Sequence, residues 1–564
     1  MTKTVQQSYV YGPTSTPLLG ETIGQNLHRT VTTYPTQEAL VAPTQHVRLT
    51  YQQLWEQTTI VARALLAKGI RRGDRVGLWA PNRYEWVLVQ YAAALIGVII
   101  VSLNPALQFT ELLFAINQSE IKTIFSVVKY RENDHCKIID KIRSKAPSLT
   151  DVLYFAHPTW ENFLQLAALK EDTVLHHAMR SVQFDDVLCI QYTSGATGEP
   201  KGVTLSHHGT LNNAYFTTGR LQYTPVDRVC LPIPLFHTFS MVLGSLGTMT
   251  RGATLVLPGE QFQAETVLQT IEAERCTSLL AVPTMYRSLL TRLKVSPHKV
   301  STLRTGIMGG AVCSSAIVKD TIEKLHLKEL TICYGMTETS PTATQTVIGT
   351  PVEKLCTTVG TVHDHVEVKI VDLTSGNIVP RGQEGEICTR GYSVMLKYWD
   401  SPEATNAVID AARWMHTGDK GSMDEEGYLT VTGRIKDIII RGGENISPME
   451  IEDCINWNDA VAEVHVVGVP DETYGEEIMA WVKLVDGCTV TVEELRTLCK
   501  NHIAPYKVPR YWKFVTDEFP AETASAACKA ALKELVATKE RLSDPSIIDS
   551  RKEGTASGKR PREA

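Results

Sequence analysis

The sequence has no membrane-length apolar run, no paired-cysteine motif and no excess of positive charge. Its best apolar stretch, YAAALIGVIIVSL (Tyr91–Leu103), is interrupted by Gly97. It falls short of the ~20 residues that a spanning helix needs, and reads instead as a buried helix leading into a strand. The twelve cysteines are scattered, with no CxxC pair and no His/Cys cluster at metal spacing. Neither a disulfide framework nor a zinc site is therefore expected, and a reducing compartment is. A formal net charge of -6 offers no general attraction to nucleic acid. The N-terminal MTKTVQQSYVYGP lacks an apolar signal core and the arginine-rich pattern of a transit peptide, and KRPREA is not a peroxisomal address. A cytoplasmic location is the expectation from these features. Oligomeric state is not legible.

What is present is an ordinary globular composition on a long chain: 564 residues, 43% hydrophobic and 21% charged. That length implies two or more domains. Thr50 and Gln53 form a capping box, Leu54, Val61 and Leu65 share one helical face, and Gly69 follows Lys68 as a stop. DRVGLWAPN reads as a buried strand ending at Pro81. Short β-branched runs alternate with helical stretches as far as about Tyr334, which implies mostly parallel sheets covered by helices. From about Gly360, VEVKIVD, GEICTRG and GYLTVTGR are short strands between Gly and Asp turns, as in a small barrel or antiparallel sheet. Beyond Asp437 a compact α+β unit follows, and from about Ser543 the chain is polar, charged and expected to be disordered.

YTSGATGEPKG (Tyr192–Gly202) invites comparison with a Walker loop, and fails it. A Walker lysine is followed by Ser or Thr and opens a helix; here Pro200 precedes Lys201 and Gly202 follows it. The physics of anion binding still applies. Thr193, Ser194 and Thr197 supply hydroxyl donors, Gly195 and Gly198 admit close backbone N–H approach, and Lys201 adds a point charge. A flexible surface turn is the alternative for the loop taken alone.

The loop is followed, in order, by PLFHTFS (Pro234–Ser240), GIMGGA (Gly306–Ala311), YGMTETSP (Tyr334–Pro341), GEICTRG (Gly385–Gly391), WMHTGD (Trp414–Asp419), GRIKDIIIRGGENISPMEIE (Gly433–Glu452) and YGEE (Tyr474–Glu477). This ordered set resembles the adenylate-forming superfamily over nearly the whole chain. YVYGPTSTPLLGETIGQNL and RGGENISP look most like its medium-chain acyl-CoA synthetases of mitochondrial type, which makes a mitochondrial location the alternative to a cytoplasmic one. The resemblance implies an α/β fold: a large N-terminal domain of two helix-flanked sheets plus a small β-barrel (1–434), then a small mobile α+β C-terminal domain (435–540) and a tail (541–564).

It also implies the chemistry. A carboxylate repels nucleophiles; ATP converts it to an acyl-adenylate, and the thiol of coenzyme A displaces AMP. Charge develops on phosphate and carbonyl oxygens, so fixed donors, positive charge and Mg²⁺ are needed. By resemblance Thr337 touches the α-phosphate, and Glu338 holds Mg²⁺, which prefers oxygen ligands. Tyr334, beside Gly335, stacks on adenine. Asp419 accepts from the ribose diol, and Arg434 pairs with ribose or phosphate oxygens. His237 lies at the mouth of the acyl pocket, and Gly309, Gly310 and Ala311 line that pocket and the adenine edge. Lys436 is the hinge residue about which the small domain turns, bringing Gly443 in to form the coenzyme A channel. Each has a plainer alternative: an Asp after Gly is commonly a turn residue, an aromatic beside Gly is commonly core, and a lone His is commonly structural. PLFHTFS lacks the aspartate that amino-acid-activating relatives place there, which favours a plain carboxylic acid as substrate.

One element departs from the pattern. The family's C-terminal Gly–Lys pair is replaced in FPAETASAACKAALKELV, where Ala526 falls at the lysine position and Lys529 at the second, non-catalytic lysine. One missing transition-state donor costs ~10²–10³ in rate. Three readings stay open: Lys529 reaches the site, adenylation is weak while thioester formation survives, or the chain is a nucleotide- or adenylate-binding pseudoenzyme. TASGK at Thr555–Lys559 repeats the lost motif without its surrounding strand.

Overall fold

The computed structural model describes residues 6–193, 200–311, 313–441, 444–471, 474–503, 505–516, 519, 525–536 and 546–550. Local signals set the first elements. Thr50 and Gln53 close a reciprocal capping box on the helix Tyr51–Ala67. Leu54, Val61 and Leu65 are buried along it, and Gly69 takes a left-handed φ of 84° just past its end. The next helix, Tyr84–Leu95, is buried on all sides. This is why its sequence shows no polar face: sheets and helices cover it completely, and each fully buried aliphatic side chain contributes about 1.5–3 kcal/mol. Its single carboxylate, Glu85, is buried with its charge compensated by Arg83 at 2.9 Å and by a hydrogen bond from Gln45, also at 2.9 Å.

Two large sheets form the body. One runs 397–398, 201–206, 187–193, 99–102, 75–79, 123–126, 151–154, and the other 361–362, 342–345, 329–335, 305–309, 278–281, 228–230, 254–256, 38–42, 47–50. Their central pairings are parallel, with antiparallel strands added at the edges. Near-continuous apolar strands such as Ile99–Ser102 fit a sheet covered on both faces. A third, five-stranded antiparallel sheet joins 9–11 to 366–371, 385–391, 415–423 and 429–434. The fourth, from 439 onward, carries helices Pro448–Ile455 and Val492–His502 around its own apolar core. The α/β class and the large-plus-small build therefore match the expectation from sequence.

The expected disordered tail contains an ordered piece. Ile548–Asp549 pairs antiparallel with Tyr511–Trp512. Arg510 holds Asp549 through two N–H donors at 3.1 and 3.2 Å, and the Ser550 amide donates to the Arg510 carbonyl. Polar composition suggested a tail, but one arginine clamp and a packed Ile548 fix this stretch to the sheet. No described helix is long and apolar enough to cross a membrane.

Candidate active site

The parallel strands Thr305–Gly309 and Glu329–Gly335 are neighbours in one sheet, so their carboxyl ends lie side by side. In open α/β sheets such ends are where ligands bind. Gly309 pairs with Cys333, and an added Cβ there would lie 2.6 Å from the Cys333 sulfur. Gly310 follows with φ 82°, in the left-handed region that favours glycine, and it and Ala311 are exposed at the rim. Gly335 is required by a close approach: a Cβ would sit 1.9 Å from the carbonyl oxygen of Pro341. That approach folds YGMTETSP into a tight return, in which Thr337–Thr339 forms a single 3-10 turn. The Thr339 hydroxyl accepts from the Met336 amide at 3.0 Å and donates to Pro341 at 2.6 Å.

Two polar chains converge on this return. In the first, the Tyr334 hydroxyl donates to Asp419 Oδ2 at 2.8 Å. The other oxygen of Asp419 faces Arg434 Nε at 3.3 Å, because the two residues are register partners on adjacent strands. Asp419 is buried and its carboxyl is pushed up by that burial, which Arg434 and the Tyr334 hydroxyl oppose. Tyr334 is likewise raised, by burial and by the Asp419 charge. Arg434 is exposed on its far side, so its guanidinium has donors left over.

In the second chain, Tyr398 donates from its hydroxyl to Glu338 Oε1 at 2.8 Å, and the Lys201 ammonium lies 5.1 Å from the centre of the same ring. Thr193 and Lys201 are register partners, so the two ends of the hydroxyl-and-glycine loop are held side by side. Ser194, Gly195 and Thr197 lie outside the described residues. Burial and the Glu338 charge hold the Tyr398 phenol well above its ordinary value, so it stays a donor. The Met395 amide donates to the Glu338 carbonyl at 2.8 Å. Glu338 Oε2 has no partner among the described residues. Sequence reasoning missed Tyr398. Its one signal is an aromatic in KYW, whose role appears only when Lys397–Tyr398 pairs with Val203–Thr204.

His237 is half-buried with its ring 4.1 Å from that of Phe236, and burial pushes it down to about 4, so it is neutral at pH 7. Its neighbour Thr238 donates to Gln191 at 2.7 Å, on the strand that ends at Thr193. Thr337 flanks the Glu338 turn with its amide carbonyl accepting from Ser340. Lys436 sits in the exposed turn Ile435–Asp437, directly after Arg434. Gly443 lies outside the described residues. The small unit touches the large one here: Ser447 Oγ donates to the Thr432 carbonyl, and Arg287 donates to the carbonyls of Val461 and Ala462.

Lys529 is held by a carboxylate of its own domain. It is buried and its ammonium lies 2.8 Å from Glu452 Oε1, an oxygen that also accepts the Val466 amide at 2.7 Å. Ala526 falls in the first turn of the helix Ser525–Leu535. Thr555–Lys559 is outside the described residues.

The family described as AMP-binding enzyme matches residues 27–399, and the AMP-binding enzyme C-terminal domain matches 450–526. The chain belongs to the AMP-binding enzyme family. It is 39% identical over 554 residues to "Medium-chain acyl-CoA ligase ACSF2, mitochondrial" of Danio rerio, covering 94% of this chain and 91% of that protein. It is 40% identical over 536 residues to "Putative acyl-CoA synthetase YngI" of Bacillus subtilis (strain 168), covering 92% and 97%. Among solved structures, the anthranilate CoA ligase AuaEII in complex with anthranoyl-AMP superimposes with a TM-score of 0.82, covering 93% of this chain and 98% of the other. At 24% identity that likeness bears on the fold. Within this AMP-binding fold, the Tyr334–Asp419–Arg434 and Lys201–Tyr398–Glu338 chains draw on three different sheets and are tied to the same return, Tyr334–Pro341.

Proposed function

We propose that the chain is an acyl-CoA ligase that activates a fatty, medium-chain carboxylate with ATP and passes the acyl group to coenzyme A. The carboxylate oxygen attacks the α-phosphorus, the bond to the bridging oxygen breaks, and pyrophosphate leaves. The sulfur of coenzyme A then attacks the acyl carbon, AMP leaves, and the thiol proton goes to solvent. The observation that supports this reading is that one return of a family member, Tyr334–Pro341, carries two polar chains, Tyr334 with Asp419 and Arg434, and Glu338 with Tyr398 beside Lys201. The printed names of the two relatives support the acyl class, and the first supports the chain length.

Glu338 suits Mg²⁺: it offers the carboxylate oxygens that ion prefers, one fixed by Tyr398 and the other with no partner among the described residues. Bound with the nucleotide, Mg²⁺ would neutralise phosphate charge. Asp419 would take the ribose hydroxyls, oriented by Arg434 and by Tyr334, whose ring is available to adenine. Lys201 would move with the loop onto phosphate oxygens, exchanging a weak cation–π contact for an ionic one. Neutral His237 would border the acyl group without acting as a base. We assign 1–434 and 435–540 as the two moving parts, turning at Lys436, with Gly443 entering for the second step.

ATP–pyrophosphate exchange across a series of fatty acids tests this reading: exchange peaking at medium chain length supports it, and none with any acid, alongside intact ATP binding, refutes it. A second reading is favoured by Ala526 and by the Lys529–Glu452 pair. In it, the chain binds nucleotide and makes thioester from pre-formed acyl-adenylate but adenylates slowly. Thioester formed from octanoyl-adenylate far faster than from octanoate and ATP would favour that reading.

A further inference from the structure

The antiparallel sheet carries a second set of metal-ligating groups that the sequence conceals. Glu386 and Cys388 stand two apart on the strand Gly385–Gly391, so both side chains leave the same face. His416, on Met415–Met423, is the register partner of Cys388. Its Nδ1 lies 2.7 Å from Glu386 Oε2 and 3.5 Å from Cys388 Sγ. One oxygen, one nitrogen and one sulfur thus lie within 4.8 Å of one another. No local pattern signals the set, since the cysteine and the histidine are 28 residues apart and only the strand register joins them.

The spacing suits a tetrahedral ion. Zn–N of about 2.0–2.1 Å and Zn–S of about 2.3 Å place the two ligand atoms roughly 3.6 Å apart, against 3.5 Å here. The nitrogen–oxygen edge must open by roughly 0.7 Å to reach its tetrahedral length, which a turn of the Glu386 carboxylate supplies. The outer shell is also in place. His416 Nε2 faces Asp410 Oδ2 at 4.0 Å, the carboxylate partner that metal-bound imidazoles commonly have. The cations on this face are drawn aside: Lys369 and Arg390 both lie over the Trp414 ring, at 4.4 and 4.6 Å, and Arg390 is also paired with Glu367. Cys388 is buried while His416 is part-exposed, so the ion would enter from the imidazole side.

We propose that Glu386, Cys388 and His416 form a binding site for a thiophilic divalent cation of the zinc class, with water as fourth ligand. The mixed sulfur, nitrogen and oxygen set separates it from the all-oxygen Mg²⁺ position at Glu338. On binding, the Cys388 S–H proton is released to solvent, and His416 presents the Nδ1 lone pair to the ion, which leaves Nε2–H toward Asp410. Glu386 gives up its Oε1 contact with the Gly418 amide, now 3.2 Å, one residue before Asp419.

The test uses the full chain, stripped by a chelator and titrated with Co²⁺. A thiolate-to-cobalt charge-transfer band with tetrahedral visible bands is expected, bleached by Zn²⁺. Cys388→Ser should abolish the band, His416→Phe should weaken binding at least tenfold, and Cys488→Ser, at an exposed thiol, should leave it intact. No band in the unaltered chain, or a band surviving Cys388→Ser, overturns the proposal. If Cys388→Ser does not fold, His416→Phe decides alone: unchanged cobalt affinity in that variant overturns it equally.

Discussion

Tyr398→Phe removes one oxygen and leaves the ring that carries the Lys201 contact. The lost group is a 2.8 Å hydrogen bond from a buried phenol to a carboxylate. Hydrogen bonds to charged groups contribute about 1.5–3 kcal/mol. If Glu338 must be held in place for nucleotide activation, that energy leaves the transition state. At about 1.4 kcal/mol per decade, exchange should fall by roughly 10- to 150-fold. The ring still packs against its neighbours, so the midpoint of thermal unfolding should move by only a few degrees. Two measurements separate a positioning role from a packing one. In ATP–pyrophosphate exchange, the Mg²⁺ concentration giving half-maximal rate should rise. In equilibrium binding, affinity for ATP without Mg²⁺ should change less than affinity with it. Exchange within twofold of the unaltered enzyme, or a loss that simply tracks unfolding, would refute the assignment of Glu338 as the cation ligand fixed by Tyr398.

Ala526→Lys should raise exchange, by up to ~10²–10³ if the one absent donor is the limit, and no gain would place that role on another residue. Gly335→Ala drives a methyl group into the Pro341 carbonyl. Opening that return should cost about 1–3 kcal/mol or more, and ATP binding, followed by calorimetry, should be lost before the fold is. Asp453 is pushed up to about 7 by burial, with Glu452 adding to the shift and Lys529 opposing it. A raised carboxyl value means that folding favours the protonated form. That contribution is full below about 4, the ordinary aspartate value, and is lost as pH rises through about 7. Asp453→Asn should therefore gain stability over the unaltered chain across that window, by a few kcal/mol at its top. A difference in unfolding midpoint that stays flat with pH would contradict this.

How much of this could be read from the sequence depended on whether a signal was local. The Thr50–Gln53 box, the Gly69 stop and the alternation of strands and helices involve residues a few positions apart, and they specify elements without tertiary help. GIMGGA and YGMTE are legible as motifs, but not what their glycines pack against: Cys333 and Pro341 are fixed only by sheet pairing and by the return. Tyr398 and the Glu386–Cys388–His416 set were invisible for the same reason, since strand register alone brings them to their partners. Composition misjudged Ile548–Asp549, because one part-buried isoleucine packed on the core and one arginine clamp outweigh a polar neighbourhood.

The lysine question turns on two comparable energies. One preorganised donor at the transition state is worth about 2.7–4 kcal/mol. Lys529 supplies a cation within one helical turn of the required position, but it is not a free one. It sits in a buried pair with Glu452, whose oxygen also holds the Val466 amide. Removing one partner from a buried pair costs about 3–5 kcal/mol, because the remaining charge is left without compensation. Moving Lys529 to the phosphate would therefore cost about as much as it gains, and would strand Glu452 beside the already crowded Asp453 carboxyl. The balance goes against recruitment of Lys529 and in favour of slow adenylation with the later step intact. On the proposed reading, Tyr334, Asp419 and Arg434 would hold AMP in that second step and the thiol would enter by the Gly443 channel, and neither role draws on position 526. Glu452→Gln inverts the balance: with the anion removed, Lys529 is free to leave, and exchange should rise in this variant while remaining low in Glu452→Gln/Lys529→Met.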